Sequence, residues 1–320
     1  MKKIAILTSG GDAPGMNAAI RACVRYAIYH GFEVFGVERG YHGLINDNIF
    51  PMNKRTVSDI IHRGGTFLKS ARCLEFKEIE YQKKAYEVLK SHGIDSLIVL
   101  GGDGSFRGAR DLSNNFGINV ACIPCTIDND LAYTDYTIGF DTSVNTVLTA
   151  INSLRDTMTS HDRVSILEVM GRKCGDIALH AALAGGAEFC LTPEIPVDVD
   201  KIIETLHSSH DNGKTSNMVV IAEGVENKTE IINKIKSSTK ISVKVTTLGH
   251  LQRGGSPSMF DRVLASRLSV HAVDLLIEGK TNRTVGLVNN KVIDLDINEA
   301  ISMKNDINKD LYKIAEILSL

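Results

Sequence analysis

The sequence predicts an α/β protein of two domains, each built on a mainly parallel sheet. Three observations carry that prediction. Short aliphatic runs alternate with longer amphipathic stretches, the rhythm of strands followed by crossover helices. Several helical stretches stop at glycine, as at Gly31, Gly93 and Gly213, where a left-handed residue closes a helix. The 320 residues also exceed one ordinary domain, taken as about 100–200 residues.

In chain order, "IAILTS" (residues 4–9) reads as a strand and "MNAAIRACVRYAIYHG" (16–31) as the helix after it. "SLIVLGG" and "SFRGARDLSNNFG" (96–102, 105–117) repeat the unit, and "NVACIP" (119–124) adds a strand before the helical "SVNTVLTAINSLRDTM" (143–158). "VSILEVMG" and "DIALHAALAGGA" (164–171, 176–187) form the next pair. "SNMVVIAEGV", "TEIINKIKSSTK", "ISVKVTTLG" and the long "DRVLASRLSVHAVDLLIEG" (261–279) follow. No Pro/Ser-rich linker, low-complexity tract or fixed-period repeat interrupts the series, so the chain is expected to pass between domains inside ordered elements.

Composition excludes several classes. Lys and Arg total 36 against 38 Asp and Glu, which leaves no basic field for nucleic acid or an acidic membrane surface. No apolar run reaches the roughly 18 residues of a membrane span, and the opening "MKKIAILTSGGDAPG" meets glycine and aspartate too early for a signal peptide. A cytoplasmic protein is expected. Cys23, Cys73, Cys122, Cys125, Cys174 and Cys190 are scattered in apolar or glycine-rich surroundings and are expected reduced. "CIPC" closes a strand, whereas a redox C-x-x-C opens a helix, and no second ligand pair follows for zinc.

Ligands of open parallel sheets bind beyond the carboxyl ends of the strands, and three loops there stand out: "LTSGGDAPGMN", "LGGDGS" and "PCTIDND". Glycines let backbone N–H groups approach a phosphate, and the following helix presents its positive end; each glycine pair alone is also ordinary tight-turn chemistry. In "IPCTIDND" an extended chain would point Thr126, Asp128 and Asp130 to one side and Asn129 to the other. Such a cluster is a strand-ending turn or a set of carboxylates meeting cations or a ligand, because an unpaired buried carboxylate is costly. Neither G-x-x-x-x-G-K-[ST] nor G-x-G-x-x-G occurs, which disfavours a dinucleotide dehydrogenase. Acids among phosphate-binding glycines suit a divalent cation bridging them to the anion, with Asp103 and Asp130 as candidate ligands. Asp128 is then left to accept a proton from an attacking hydroxyl. Arg163 and Arg172 flank an apolar strand, and "TLGHLQRGGSP" gathers His250, Arg253 and two glycines. Either arginine alone reads as a surface ion pair; Arg253 before a glycine turn reads as an anion site.

"LTSGGDAPGMNAAIR", "RGGTFLKSAR", "GGDGS", "TIDND", "DYTIGFDT", "EVMGR.CGD" and "LGHLQRGGSP" occur in one order along the whole chain. In this the chain resembles the bacterial-type ATP-dependent 6-phosphofructokinases. The resemblance implies two α/β domains, each sheet sandwiched by helices, with the active site in the cleft between them. Residues 1–139 plus 257–306 would bind ATP, and residues 140–256 plus 307–320 the sugar phosphate. It also implies Mg²⁺ with ATP as co-substrate, fructose 6-phosphate as acceptor, and a homotetramer with shared active sites.

Carried onto this sequence, the resemblance makes Asp128 the base, with Thr126 and the backbone of Gly11 at the transferring phosphate. Arg72 and Arg172 would steady its charge, and Asp103 and Asp130 would serve Mg²⁺. Tyr41, Cys73, Gly102, Gly104 and Ser105 would line the ATP pocket. Met170, Gly171 and Glu223 would hold the sugar, and His250 and Arg253 its 6-phosphate, joined by Arg163 and Lys244 from a neighbouring subunit. An effector site for ADP or phosphoenolpyruvate would comprise Arg21, Arg25, Lys54, Ser58, Asp59, Arg155, Gly186, Glu188 and Lys214.

The departures have consequences. Lys244 replaces the family's usual arginine and loses its planar fork, so a raised KM for the sugar is expected. Asn212 replaces a phosphate-binding lysine and Lys54 stands where arginine is common, so weakened allosteric control is expected. Cys125 stands where ATP users carry glycine and diphosphate users lysine, and its thiol is expected to be a point of inactivation by alkylation or oxidation. Gly104 matches ATP users, against the aspartate of diphosphate users. A diphosphate-dependent enzyme and a catalytically silent nucleotide sensor are the competing readings; the intact Asp103, Thr126, Asp128, Arg72 and Arg172 oppose the sensor.

Overall fold

The computed structural model describes residues 2–214, 216–239 and 241–319. They form two compact units: residues 2–127, 131–142 and 253–304, and residues 128–130, 143–214, 216–239, 241–252 and 305–319.

The first unit opens with β1 (Lys3–Thr8), α1 (Met16–Tyr29), β2 (Glu33–Val37), α2 (Gly40–Ile45) and β3 (Ile49–Met52). It continues through α3 (Ile79–Ser91), β4 (Ser96–Gly101), α4 (Asp103–Phe116) and β5 (Asn119–Pro124), up to the start of α5 (Phe140–Thr159). The second unit carries the rest of α5, then β6 (Arg163–Val169), α6 (Asp176–Gly185), β7 (Phe189–Leu191), α7 (Val199–Asp211), β8 (Asn217–Ala222), α8 (Lys228–Ser238) and β9 (Ser242–Thr247). The chain returns to the first unit as α9 (Met259–Ile277), β10 (Arg283–Val288), β11 (Lys291–Asp296) and α10 (Ile297–Ser302), and ends in the second as α11 (Lys309–Leu318).

Strand order in the first unit is β11-β10-β5-β4-β1-β2-β3. The five inner strands run parallel, and the edge strands β3 and β11 pair antiparallel. A parallel sheet covered on both faces needs apolar side chains on both, which is why "IAIL" and "LIVL" are continuous. Ala5, Leu7, Leu97, Val99, Val120 and Cys122 share one core with Leu44, Leu89, Phe106, Leu112 and Ile297 from α2, α3, α4 and α10. The alternate residues Ile4, Ile6, Ile98, Leu100 and Ile123 are also buried. The helix pair α1 and α9 packs together, α1 against β2 and α9 against β4, β5 and β10.

The second unit has a four-stranded, all-parallel sheet, β7-β8-β6-β9. β8 is wholly buried, while β9 is an exposed edge in which Lys244 and Val245 face solvent. A lysine there discourages pairing with another strand. As expected from the sequence, glycines follow the ends of α1, α3 and α7 in left-handed geometry, at φ 81°, 67° and 85° for Gly31, Gly93 and Gly213.

Candidate active site

In the first unit three loops leave the carboxyl ends of adjacent strands β1, β4 and β5, and backbone bonds tie them. Ser9 N–H donates to the Leu100 carbonyl (2.9 Å) and Cys125 N–H to the Gly101 carbonyl (2.9 Å). A β-carbon at Gly102 would lie 3.9 Å from that of Thr126, and one at Gly10 would lie 3.5 Å from Ser105 Oγ. Gly10, Gly11, Gly102, Ser105 and Thr126 are thereby brought together. A β-carbon at Gly11 would displace the Arg253 guanidinium, whose Nη1 donates to the Asp12 carbonyl (3.1 Å).

Tyr41 is buried rather than open to a ligand. Its hydroxyl donates to the Ser105 carbonyl (2.6 Å) and its ring stacks on Phe76, so it braces the first turn of α4 from behind. Burial pushes its phenol well above the usual range. Cys73 packs half-buried against the same core, and burial raises its thiol pKa; Arg72 is exposed. Asp103 opens α4, half-exposed, with Arg107 Nε at 3.0 Å.

Sequence reasoning missed the residues that shape the loop carrying Arg72. Asn17, buried on α1, donates to the carbonyls of Arg63 (3.1 Å) and Gly64 (3.2 Å) and accepts from Phe67 N–H (2.6 Å). Thr8 donates to the Lys69 carbonyl (2.7 Å). Asp261 is also missed, a fully buried carboxylate that accepts from Gly139 N–H (2.8 Å) and Thr142 N–H (2.9 Å) and from the Thr142 hydroxyl. Burial pushes its pKa up to about 6 against these bonds.

Two expectations need correction. Residues 126–130 are not extended: β5 ends at Pro124, the chain bends, and Asn129 takes φ 52°. Exposure still alternates, with Thr126 and Asp128 half-buried, Asp130 exposed, and Ile127 and Asn129 buried, because the turn itself sends the apolar and amide side chains inward. Cys125 is buried, and burial pushes its thiol well above the usual range, so it lacks the exposed thiolate that alkylation or oxidation needs. Iodoacetamide followed by peptide mapping is expected to leave Cys125 unmodified in the native protein and to label it after denaturation. Equal labelling rates in the two states would refute this.

In the second unit, the loops after β6, β8 and β9 interlock. Glu223 N–H donates to the Val169 carbonyl (2.8 Å) and Gly224 N–H to that of Gly171 (3.1 Å); Gly171, at φ 125°, has the Cys174 carbonyl where a β-carbon would sit. The buried Gln252, also missed, accepts from Met170 N–H (3.1 Å) and donates to the Gly249 carbonyl (3.0 Å). Met170, Gly171, Arg172, Glu223 and the 249–252 turn bearing His250 are thus fixed together. Arg163 and Lys244 are not among them. Arg163 starts β6 and Lys244 pairs beside Ser165, so Arg163 lies six strand residues, about 20 Å, from Val169.

Of the effector candidates, Arg21 and Arg25 lie one turn apart on α1, and Lys54, Ser58 and Asp59 are exposed. In the second unit Arg155 donates to the Gly185 (2.8 Å) and Gly186 carbonyls, and Lys214 pairs with Glu188 (2.9 Å).

Among the described residues no three His, Cys, Asp or Glu side chains converge as a metal cage, and no helix is long and apolar enough to cross a membrane.

Glycine loops opening onto helices at the carboxyl ends of a parallel sheet, with carboxylates beside them, define an α/β phosphate-handling protein. A protein-family profile described as Phosphofructokinase matches residues 3–276, and the chain belongs to that family. It is 59% identical over 319 residues, the full length of both chains, to the ATP-dependent 6-phosphofructokinase of Clostridium novyi (strain NT). It is 55% identical over the same length to ATP-dependent 6-phosphofructokinase 1 of Clostridium perfringens (strain 13 / Type A). Among solved structures, phosphofructokinase from Saccharomyces cerevisiae superimposes with a TM-score of 0.89 at 32% identity, over 100% of this chain and 48% of the yeast chain. The pyrophosphate-dependent phosphofructokinase of Marinobacter aquaeolei has the same fold, with a TM-score of 0.87 at 23% identity over 99% of this chain and 91% of that one.

Proposed function

We infer that this protein transfers the terminal phosphoryl group of ATP to the 1-hydroxyl of fructose 6-phosphate, giving fructose 1,6-bisphosphate and ADP, in the cytoplasm. The observation that carries the reading is full-length identity of 55–59% to enzymes named for this reaction, in a chain with both glycine loops and Asp128 in place.

Asp128 takes the proton of the 1-hydroxyl as its oxygen attacks the terminal phosphorus in line and the bond to the bridging oxygen of ADP breaks. Gly11 N–H and Thr126 contact the transferring group, while Arg72 and Arg172 offset its charge. Asp103 and Asp130 would hold Mg²⁺, which neutralises phosphate charge when bound. The first unit's Tyr41, Cys73, Gly102, Gly104 and Ser105 shape the nucleotide site, Tyr41 by bracing Ser105. Met170, Gly171 and Glu223 hold the sugar, and His250 and Arg253 its 6-phosphate. The roughly 20 Å between Arg163 and the carboxyl end of β6 supports Arg163 and Lys244 reaching the sugar of a neighbouring copy, hence a homotetramer with shared sites.

Gly104 favours ATP over diphosphate as donor. A β-carbon there would meet nothing within 4 Å, so packing does not require glycine, and its retention in a helix, where alanine is better by about 1 kcal/mol, points to room for the ligand. Effector control by ADP or phosphoenolpyruvate is weakened: Asn212 supplies no charge, and Arg155 and Lys214 are already engaged.

The test is fructose 1,6-bisphosphate formation with Mg²⁺ and either ATP or diphosphate. Turnover with ATP alone is expected, with a near-hyperbolic sugar response when phosphoenolpyruvate is added. Turnover with diphosphate alone would transfer the assignment to the other donor class, and strong sigmoidal inhibition would overturn the effector reading.

A further inference from the structure

We propose that Asp176 is a positioning residue that, through Asn129, fixes the Asp128–Asn129–Asp130 tripeptide onto the framework of the second unit. The proposal rests on Asp128 being the base of the reaction above. These three residues are the second unit's only contribution from the first 142 positions, and their chain neighbours on both sides belong to the first unit. Something within the second unit must hold them.

Several of the contacts that hold them meet at Asn129. Its side-chain Nδ2 donates to Asp176 Oδ2 (3.0 Å), and its carbonyl accepts from Asn305 Nδ2 (3.3 Å) and lies 4.0 Å from Cys174 Sγ. Asn305 Nδ2 is also 3.3 Å from Cys174 Sγ, so the carbonyl, the amide and the thiol form one small knot. Asn129 is buried and left-handed, a conformation asparagine tolerates better than other non-glycine residues. Its amide points at α6 and away from solvent chemistry, and its two neighbours in the chain carry the carboxylates. Fixing its side chain and its carbonyl therefore sets the direction in which Asp128 leaves the turn.

The anchor is rigid. Asp176 is the first residue of α6, where the helix dipole favours a negative charge, and Ile177, Ala178 and Leu179 behind it are fully buried. Gly175 N–H donates to Glu194 Oε1 (2.8 Å), and Thr192 fills the space a β-carbon at Gly175 would need. Burial raises the Asp176 pKa, and the bond from the Asn129 amide opposes that rise. The sugar-binding loops after β6 and β8 lead from the same sheet, so base and acceptor share one frame, and a misplacement of about 1 Å in such a frame costs on the order of 10²-fold in rate.

The test measures kcat, KM for both substrates and the thermal midpoint in the full-length protein. Asp176→Val is expected to lower kcat about 10- to 100-fold, the range seen for supporting contacts of a site, with KM for ATP within about twofold of wild type. Asp176→Asn, whose Oδ1 still accepts the Asn129 amide, is expected to stay within about threefold in kcat, a rescue that bulk alone would not predict. Asn305→Ala removes an exposed side chain and is expected to lower kcat about 3- to 10-fold without moving the midpoint. A folded Asp176→Val with wild-type kcat, or an Asp176→Asn as impaired as Asp176→Val, overturns the proposal. So does a wild-type kcat in Asn305→Ala if the valine variant does not fold. A wild type that fails to phosphorylate fructose 6-phosphate overturns the reaction assignment instead, so the two failures are distinguishable.

Discussion

Asp128→Asn is expected to lower kcat by about 10²- to 10⁴-fold, the contribution of a positioned general base. The substitution keeps shape and volume while removing the negative charge and basicity that let the carboxylate accept the proton. Asp128 is half-buried on a turn whose direction is set by the neighbouring Asn129, so the asparagine should occupy the same place and leave the fold intact. KM for ATP and the thermal midpoint should therefore stay near wild type. A coupled assay of product formation beside a thermal melt checks both, and a variant that retains kcat within about tenfold would remove Asp128 from the role of base.

Asp261→Ala is expected to cost roughly 3–5 kcal/mol of stability, because it leaves Gly139 N–H, Thr142 N–H and the Thr142 hydroxyl to find new partners in a fully buried place, at about 1–3 kcal/mol for each group left unsatisfied. Asp261 also caps the start of α5 from the first turn of α9, which Ser258 caps in turn. A pH dependence accompanies this. Burial raises the folded-state pKa to about 6 from 3.8, so the folded protein binds this proton more tightly than the unfolded chain. The contribution is most favourable below pH 3.8 and declines as pH rises to about 6. Denaturant unfolding of wild type and Asp261→Asn is expected to show the wild type gaining relative stability as pH falls from 6 to 4. A difference independent of pH would place the carboxylate's titration outside the folded core.

The sequence revealed those parts of the fold that are buried on two faces. β1, β4, β5, β6 and β8 are continuous apolar runs because helices cover both sides of their sheets. Five strands escaped notice: β7 has three residues, β3 contains Pro51 at a sheet edge, β11 is only half-buried along its length, and β2 and β10 are short runs interrupted by Gly36 and Gly286. α11 left little trace because it buries none of its residues fully. In the site, the glycine loops and the carboxylates after β5 were legible because their chemistry is written in consecutive residues. Asn17, Gln252 and Asp261 were not, since each acts on backbone 46 to 122 positions away, and one polar residue in an apolar helix or turn carries no local pattern.

The order of strands in the first sheet also bears on how the protein is made. β10 lies beside β5 and pairs Arg283 with Ala121, yet it is synthesised roughly 160 residues after β5 ends. On a ribosome adding about 5–20 residues per second, β5 would stand for some 8–30 s with one edge unpaired. Its apolar "VACI" has little of its own to repel another nascent chain, and an open apolar edge invites strand addition. Yield in the cell should therefore depend on whether chaperones shield that edge until the ribosome reaches β10, and a chain truncated before Arg283 should aggregate rather than accumulate as a folded half.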